Sequence, residues 1–285
     1  MQFDLATLLS QWAAGGLLFC WVTTRRREVG IGYGWLLRSS FGVMAVLSVV
    51  AGWGDPGTGA AVRNAATAVM AIAAGVAFAS SYVRRAAGVR GQRAQKEARA
   101  QRVAAMTGAV GDVGERDAPG GKEFDPRLDL VAPIAGLVAM IGAASFVGGG
   151  YPLSISRLVV GACFLGAVSD AMLLGHWYLV QPGLGREPIR ELVKAVAVLW
   201  PLELVVYLIP VGMVSVLSGS IDDGYGGLIG WMWVVASITT IGLVVATWFA
   251  LKERSYSAVM AATGLLYLAI LTGFGMDLLP RALLS

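Results

Sequence analysis

The chain has 285 residues, of which 56% are hydrophobic and only 14% charged, and its mean hydropathy is +0.69. A soluble domain of this length needs more polar surface than that composition supplies. Uncharged windows of about 20 residues recur, long enough to cross a hydrocarbon core of about 30 Å, and their apolar residues are continuous rather than alternating, which points to helices and not to a barrel.

Taken in chain order, spans are predicted at about 4–23, 35–54, 60–83, 129–148, 154–180, 191–217, 227–250 and 257–278. The fold class is therefore all-α: a polytopic membrane bundle of about eight transmembrane helices, forming a single domain over 1–285. The opening Met-Gln-Phe-Asp has no positive n-region, so the first span reads as uncleaved. Gly-rich segments at 54–59, 148–152 and 222–227 predict tight turns on one side of the membrane. The loop 84–127 lies on the other side, basic over 84–102 and then Gly-, Asp- and Pro-rich.

The loops on that side carry nineteen of the 22 Lys and Arg, leaving only Arg63, Arg157 and Arg281 opposite. The positive-inside rule makes the basic side cytoplasmic and puts both termini outside, in the plasma membrane of a bacterium. The 84–102 segment suits anionic lipid headgroups. It carries no interleaved aromatics, which argues against nucleic acid as a partner. Cys20 and Cys163 both fall inside spans, without CxxC spacing or a neighbouring histidine.

An ionisable group inside a span is a functional candidate, because burying charge in lipid is costly. Asp170 on the fifth span and Glu203 on the sixth both lie near the midplane when counted from the cytoplasmic ends, with no Lys or Arg expected at that depth. A shared proton, a proton relay or a bound cation would each suit such a pair, as would plain hydrogen-bonded packing. Asp170 shares a face with Ala162 and Gly166, a small-residue stripe suited to close packing. Pro201 and Pro210 bracket Glu203 and predict kinks, which free carbonyls of the kind found at transporter ion sites.

His176, the only histidine, precedes Trp177 and Tyr178 near the cytoplasmic end of the fifth span. It lies six positions, or about 120° of rotation, from Asp170. The three residues could border a quinone headgroup. Intrinsic haem is disfavoured, since no second histidine exists for bis-His ligation. No hydrolase, zinc-protease, nucleotide-binding or calcium motif is present, and no metal site is indicated. Gly-His-Trp-Tyr-Leu-Val at 175–180, with Ala-Ala-Thr-Gly-Leu-Leu-Tyr-Leu-Ala at 261–269, resembles bacterial polytopic membrane proteins of no established activity. The resemblance implies no mechanism.

The expected function is a membrane subunit of a larger energy-transducing or redox complex, contributing to quinone or proton handling beside other subunits and not an enzyme by itself. The alternative is a secondary transporter using Asp170 and Glu203. A lipid-modifying enzyme ranks third, lacking a converging constellation.

Overall fold

The computed structural model describes residues 4–87, 122–148, 150–181, 184–209, 212–253 and 255–284, and among them every regular element is helical. In order these are α1 (Leu5–Thr24), α2 (Ile31–Ala51), α3 (Thr58–Val83), α4 (Val131–Ala144), α5 (Tyr151–Val180), α6 (Glu187–Leu208), α7 (Gly212–Leu217), α8 (Leu228–Ala250) and α9 (Tyr256–Leu283). A 3₁₀ turn at Pro126–Leu130 leads into α4. The segment 88–121, with most of the expected lipid-contacting run, lies outside the described residues.

Seven helices are long and apolar enough to span a bilayer: α1, α2, α3, α4 with its leading turn, α5, α8 and α9. The protein is a multi-pass membrane protein. The expected span at 191–217 is not one helix. It begins a turn earlier, at Glu187, stops at Leu208, and is followed by the short α7. Pro210 lies outside the described residues, but the residue before a proline is disfavoured in helical geometry, and Ile209 is extended (φ −96°, ψ 141°). Pro201 sits inside α6, which continues past it.

Local chemistry sets the helix ends. The Asp4 carboxylate caps α1, accepting from the N–H groups of Ala6 (3.0 Å) and Thr7 (3.1 Å). The expected Gly-rich turns do require glycine: Gly57, Gly150 and Gly227, which precede α3, α5 and α8, all have positive φ. In the last of these turns Asp223 accepts from Tyr225, Gly227 and Ile229, and these N–H groups, Gly227 foremost, hold its carboxyl below the usual carboxylate range.

The helices pack as two rings of four. α1 packs on α2, α2 on α3, α3 on α4, and α4 returns to α1; α5 packs on α6, α6 on α8, α8 on α9, and α9 returns to α5. A six-residue connection, 25–30 or 181–186, follows the first helix of each ring. α1 and α5 run in the same direction and join the rings. A Cβ on Gly15 would lie 1.7 Å from the Ala162 carbonyl oxygen, and one on Gly166 would lie 2.2 Å from the Gly15 carbonyl carbon. The two backbones are in contact, as small residues allow in membrane helices.

Arg63 and Arg157, expected near the outer ends of their spans, are helical and buried, and Arg281, expected beyond the last span, is also helical and buried. Each guanidinium finds partners within the bundle, which makes its burial tolerable. Arg63 pairs with Asp4 and Asp55 and donates to Thr7 Oγ1 at 3.1 Å. At the basic end Arg38 is also buried, held by two 2.7 Å bonds to Asp129. Arg26 pairs with Glu191 at 3.0 Å and Arg27 with Glu123 at 2.9 Å, tying the loops of that end together.

Gly166→Val should force α1 and α5 apart and destabilise the protein by about 2–3 kcal/mol or more, the scale of overpacking in a tight core. Thermal unfolding in mild detergent measures this, and an unchanged midpoint would show that the contact does not matter.

Candidate functional site

The end of α9 reads Met276-Asp-Leu-Leu-Pro-Arg281, with the two charged residues four apart and so on one face. They form a two-bonded pair: Arg281 Nε to Asp277 Oδ2 and Nη2 to Oδ1, each 2.9 Å. From α6, Tyr207 donates its hydroxyl to Asp277 Oδ1 at 3.1 Å. One turn before Tyr207, the Glu203 carboxyl lies against that of Asp277, with Arg281 the nearest balancing charge. Neither Glu203 oxygen accepts a hydrogen bond from any N–H or hydroxyl.

Two further elements close the cluster. Gln11 of α1 has both side-chain polar atoms buried and without partners. A methyl group on Gly161 of α5 would meet Gln11 Nε2 at 2.3 Å, Asp277 Oδ1 at 2.6 Å and Arg281 at 3.1 Å. Glycine at 161 therefore lets three polar side chains from two helices converge against α5. Arg157, one turn earlier on α5, donates from Nε to the Val206 carbonyl (2.8 Å) and from Nη2 to the Ile209 carbonyl (3.0 Å). Proline at 210 has no N–H to give the Val206 carbonyl, and the guanidinium supplies the missing donor.

Gln11, Glu203, Tyr207 and Asp277 are 0% exposed and Arg281 is 5%. Arg157 keeps its charge while donating to backbone carbonyls, and Arg281 is paired with Asp277. Glu203 is left without a hydrogen-bond donor or a paired cation of its own. An ionised carboxylate in that position within the membrane costs about 3 kcal/mol or more, which favours its protonated form.

The sequence pairing of Asp170 with Glu203 is corrected. Glu203 meets Asp277 at the level of Gly161, nine residues before Asp170 on α5, or about 13 Å along the helix axis. The early start of α6 moves Glu203 away from the basic end and out of register with Asp170. The expectation of no Lys or Arg at Glu203's depth is corrected as well, since α9 runs on past 278 and brings Arg281 inside. Asp277 and Arg281 went unrecognised in the sequence, although their four-residue spacing was the signal available. Asp170 is itself 0% exposed, with neither carboxyl oxygen hydrogen-bonded. It faces α1 and α2 near Cys20 and Tyr33.

His176, Trp177 and Tyr178 do not line one site, since successive helical residues point about 100° apart. His176 is exposed, its Nδ1 3.2 Å from the Tyr267 hydroxyl. Trp177 leans on Gly32 and Tyr33 and donates to Gln181 at 3.1 Å. Tyr178 is buried and donates to the Gly185 carbonyl at 2.5 Å. The His176–Tyr267 and Gly175–Thr263 contacts join the two stretches 175–180 and 261–269 in space. Among the described residues no group of three His, Cys, Asp or Glu side chains is placed to hold a metal ion.

No family model matches the sequence, and no curated protein and no solved structure is significantly similar to it.

Arg281→Met should leave Asp277 buried without its cation and cost about 3–5 kcal/mol, whereas Asp277→Asn combined with Arg281→Met should recover part of that loss. Thermal unfolding of the three proteins in detergent provides the comparison. Equal loss in the single and double variants would mean that the pair's charge is immaterial.

Proposed function

We propose that this protein is a proton-coupled secondary transporter in which the Glu203–Asp277 carboxyl pair, set against Arg281, is the coupling site. The observation that carries the reading is the Glu203 carboxyl: wholly buried, with no hydrogen-bond donor, and facing a second acid that is itself paired with Arg281. Such a group exchanges a proton whenever a path to water opens, and the charge of the cluster changes with it. The supporting architecture is the pair of four-helix units joined through parallel first helices, since many carriers place their ion sites between repeats of this kind. The break after Leu208, one turn beyond Glu203, supplies the discontinuous helix that also marks such sites.

On this reading α6 and α7 form an interrupted eighth crossing, both termini face away from the cytoplasm, and the basic end is cytoplasmic, in a bacterial plasma membrane. The 84–102 segment contacts anionic headgroups. The reading as a subunit of an energy-transducing or redox complex would use the same carboxyls for protons, with partner subunits around the bundle. Its quinone component has less support, because His176, Trp177 and Tyr178 diverge.

A pH jump applied to the protein in a supported membrane should displace charge, because a proton that reaches Glu203 crosses part of the membrane field. Glu203→Gln should abolish or sharply reduce that transient while its unfolding midpoint stays near that of the wild type. A full-size transient from a folded Glu203→Gln protein would sink the assignment.

A further inference from the structure

The second buried carboxyl, Asp170, lies well away from the Glu203 pair and is packed differently. Around it, α1 contributes Cys20 and α2 contributes Tyr33, whose hydroxyl donates to the Asp170 backbone carbonyl at 3.2 Å and not to its carboxyl. On α5 itself, the neighbouring Ser169 hydroxyl is taken by Trp12 Nε1 at 2.8 Å. From α4, α6 and α9 no charged side chain among the described residues bears on it. No guanidinium, ammonium or set of oxygen ligands surrounds the group, so a bound metal cation would lack coordination there. A proton satisfies the site without further ligands.

The surroundings also give a direction of access. Cys20 lies within electrostatic reach of both the Arg38–Asp129 pair and Asp170. That ion pair borders a pocket at the basic end, lined by Thr24, Gly30, Gly34, Arg38, Phe124 and Pro126. Thr24 donates to Asp129 at 3.0 Å, so polar groups continue from the pocket to the level of Cys20. The face of Asp170 lies in the seam between the two four-helix units, against Cys20 of α1 and Tyr33 of α2.

We infer that Asp170 is a second proton-binding site, separate from the Glu203–Asp277 pair and filled from the basic end, so that the protein carries exchangeable protons at two depths. Loading forms an O–H bond at the Asp170 carboxylate from a hydronium ion. Release breaks that bond and returns the proton to water, leaving the carboxylate. The site rests on its own carboxyl and stands whether or not the Glu203 pair is the coupling site.

A hydrophobic carbodiimide tests this on the wild-type protein in vesicles. A buried protonated carboxyl adds across a C=N bond to give an O-acylisourea, which rearranges to a stable N-acylurea with no leaving group. Carboxylates paired with guanidinium do not react in this way. Peptide mapping by mass spectrometry near neutral pH should find the adduct on Asp170 and on one carboxyl of the Glu203–Asp277 pair, with Asp129 unmodified. Asp170→Asn should remove its own adduct and one component of the pH-jump transient, and Asp170→Glu should restore both. The thermal midpoint shows whether Asp170→Asn is folded. An unmodified Asp170 in wild-type protein whose Glu203 pair is labelled, or a full transient from folded Asp170→Asn, overturns the second site and leaves the first reading standing. A transient lost in Asp170→Asn but intact in Glu203→Gln does the reverse.

Discussion

Everything in this fold that could carry chemistry depends on how closely α1 and α5 approach. Gly15 and Gly166 remove the side chains that would hold the two backbones apart, and the Ala162 carbonyl fills the space a Cβ at Gly15 would occupy. In lipid no hydrophobic force draws helices together, so this van der Waals contact between small residues, with the Trp12–Ser169 and Tyr33–Asp170 hydrogen bonds beside it, joins the two four-helix units. It also fixes what faces what. Going toward the basic end, the seam sets Gln11 beside Gly161, Trp12 on Ser169 and Cys20 near Asp170.

Charge in the bundle follows a consistent pattern. Arg38, Arg63 and Arg281 are each neutralised by a carboxylate, and Arg157 is satisfied by two carbonyls at the break in α6. A buried ion pair of this sort contributes little net stability, but loss of one partner is costly, so the pairs specify which helices meet. Against this background the unpartnered groups stand apart. Gln11, Asp170 and Glu203 are the described residues whose buried side-chain polar atoms lack hydrogen bonds. All three lie on the helices that form or border the seam. Buried polar groups without partners are rare in folded proteins and call for a reason, and the proton exchange proposed above would supply one for the two carboxyls.

Much of the fold was legible from hydropathy and loop chemistry: the helical membrane class, the Gly-rich turns with positive φ, and the segregation of basic loops. Asp170 and Glu203 were also legible as ionisable residues in apolar runs. Their separation was not. Depth was counted from span ends placed by hydropathy, and Glu187 and Arg190 looked like loop residues when they form the first turn of α6. The same reasoning ended the last span at 278 and left Arg281 outside, hiding the Asp277–Arg281 pair whose spacing was in plain view. Arg157 was equally hidden, because its partners are backbone carbonyls and backbone atoms leave no mark in a sequence. The four-plus-four packing could not be read either, since the loops and turns that differ between the halves mask it.

The order in which the chain is made gives the ion pairs a history. Asp277 and Arg281 sit one turn apart on the same helix, so the last span enters the bilayer with its two charges already cancelling. Arg63 differs: one of its acids precedes α1 and the other lies between α2 and α3, so its pairing closes only after three helices have emerged. Glu203 is synthesised with α6, yet the acid and the cation it faces arrive only with α9, after α7 and α8 have emerged. Until then the carboxyl has no counter-group, so its surroundings are set by helices made well after its own.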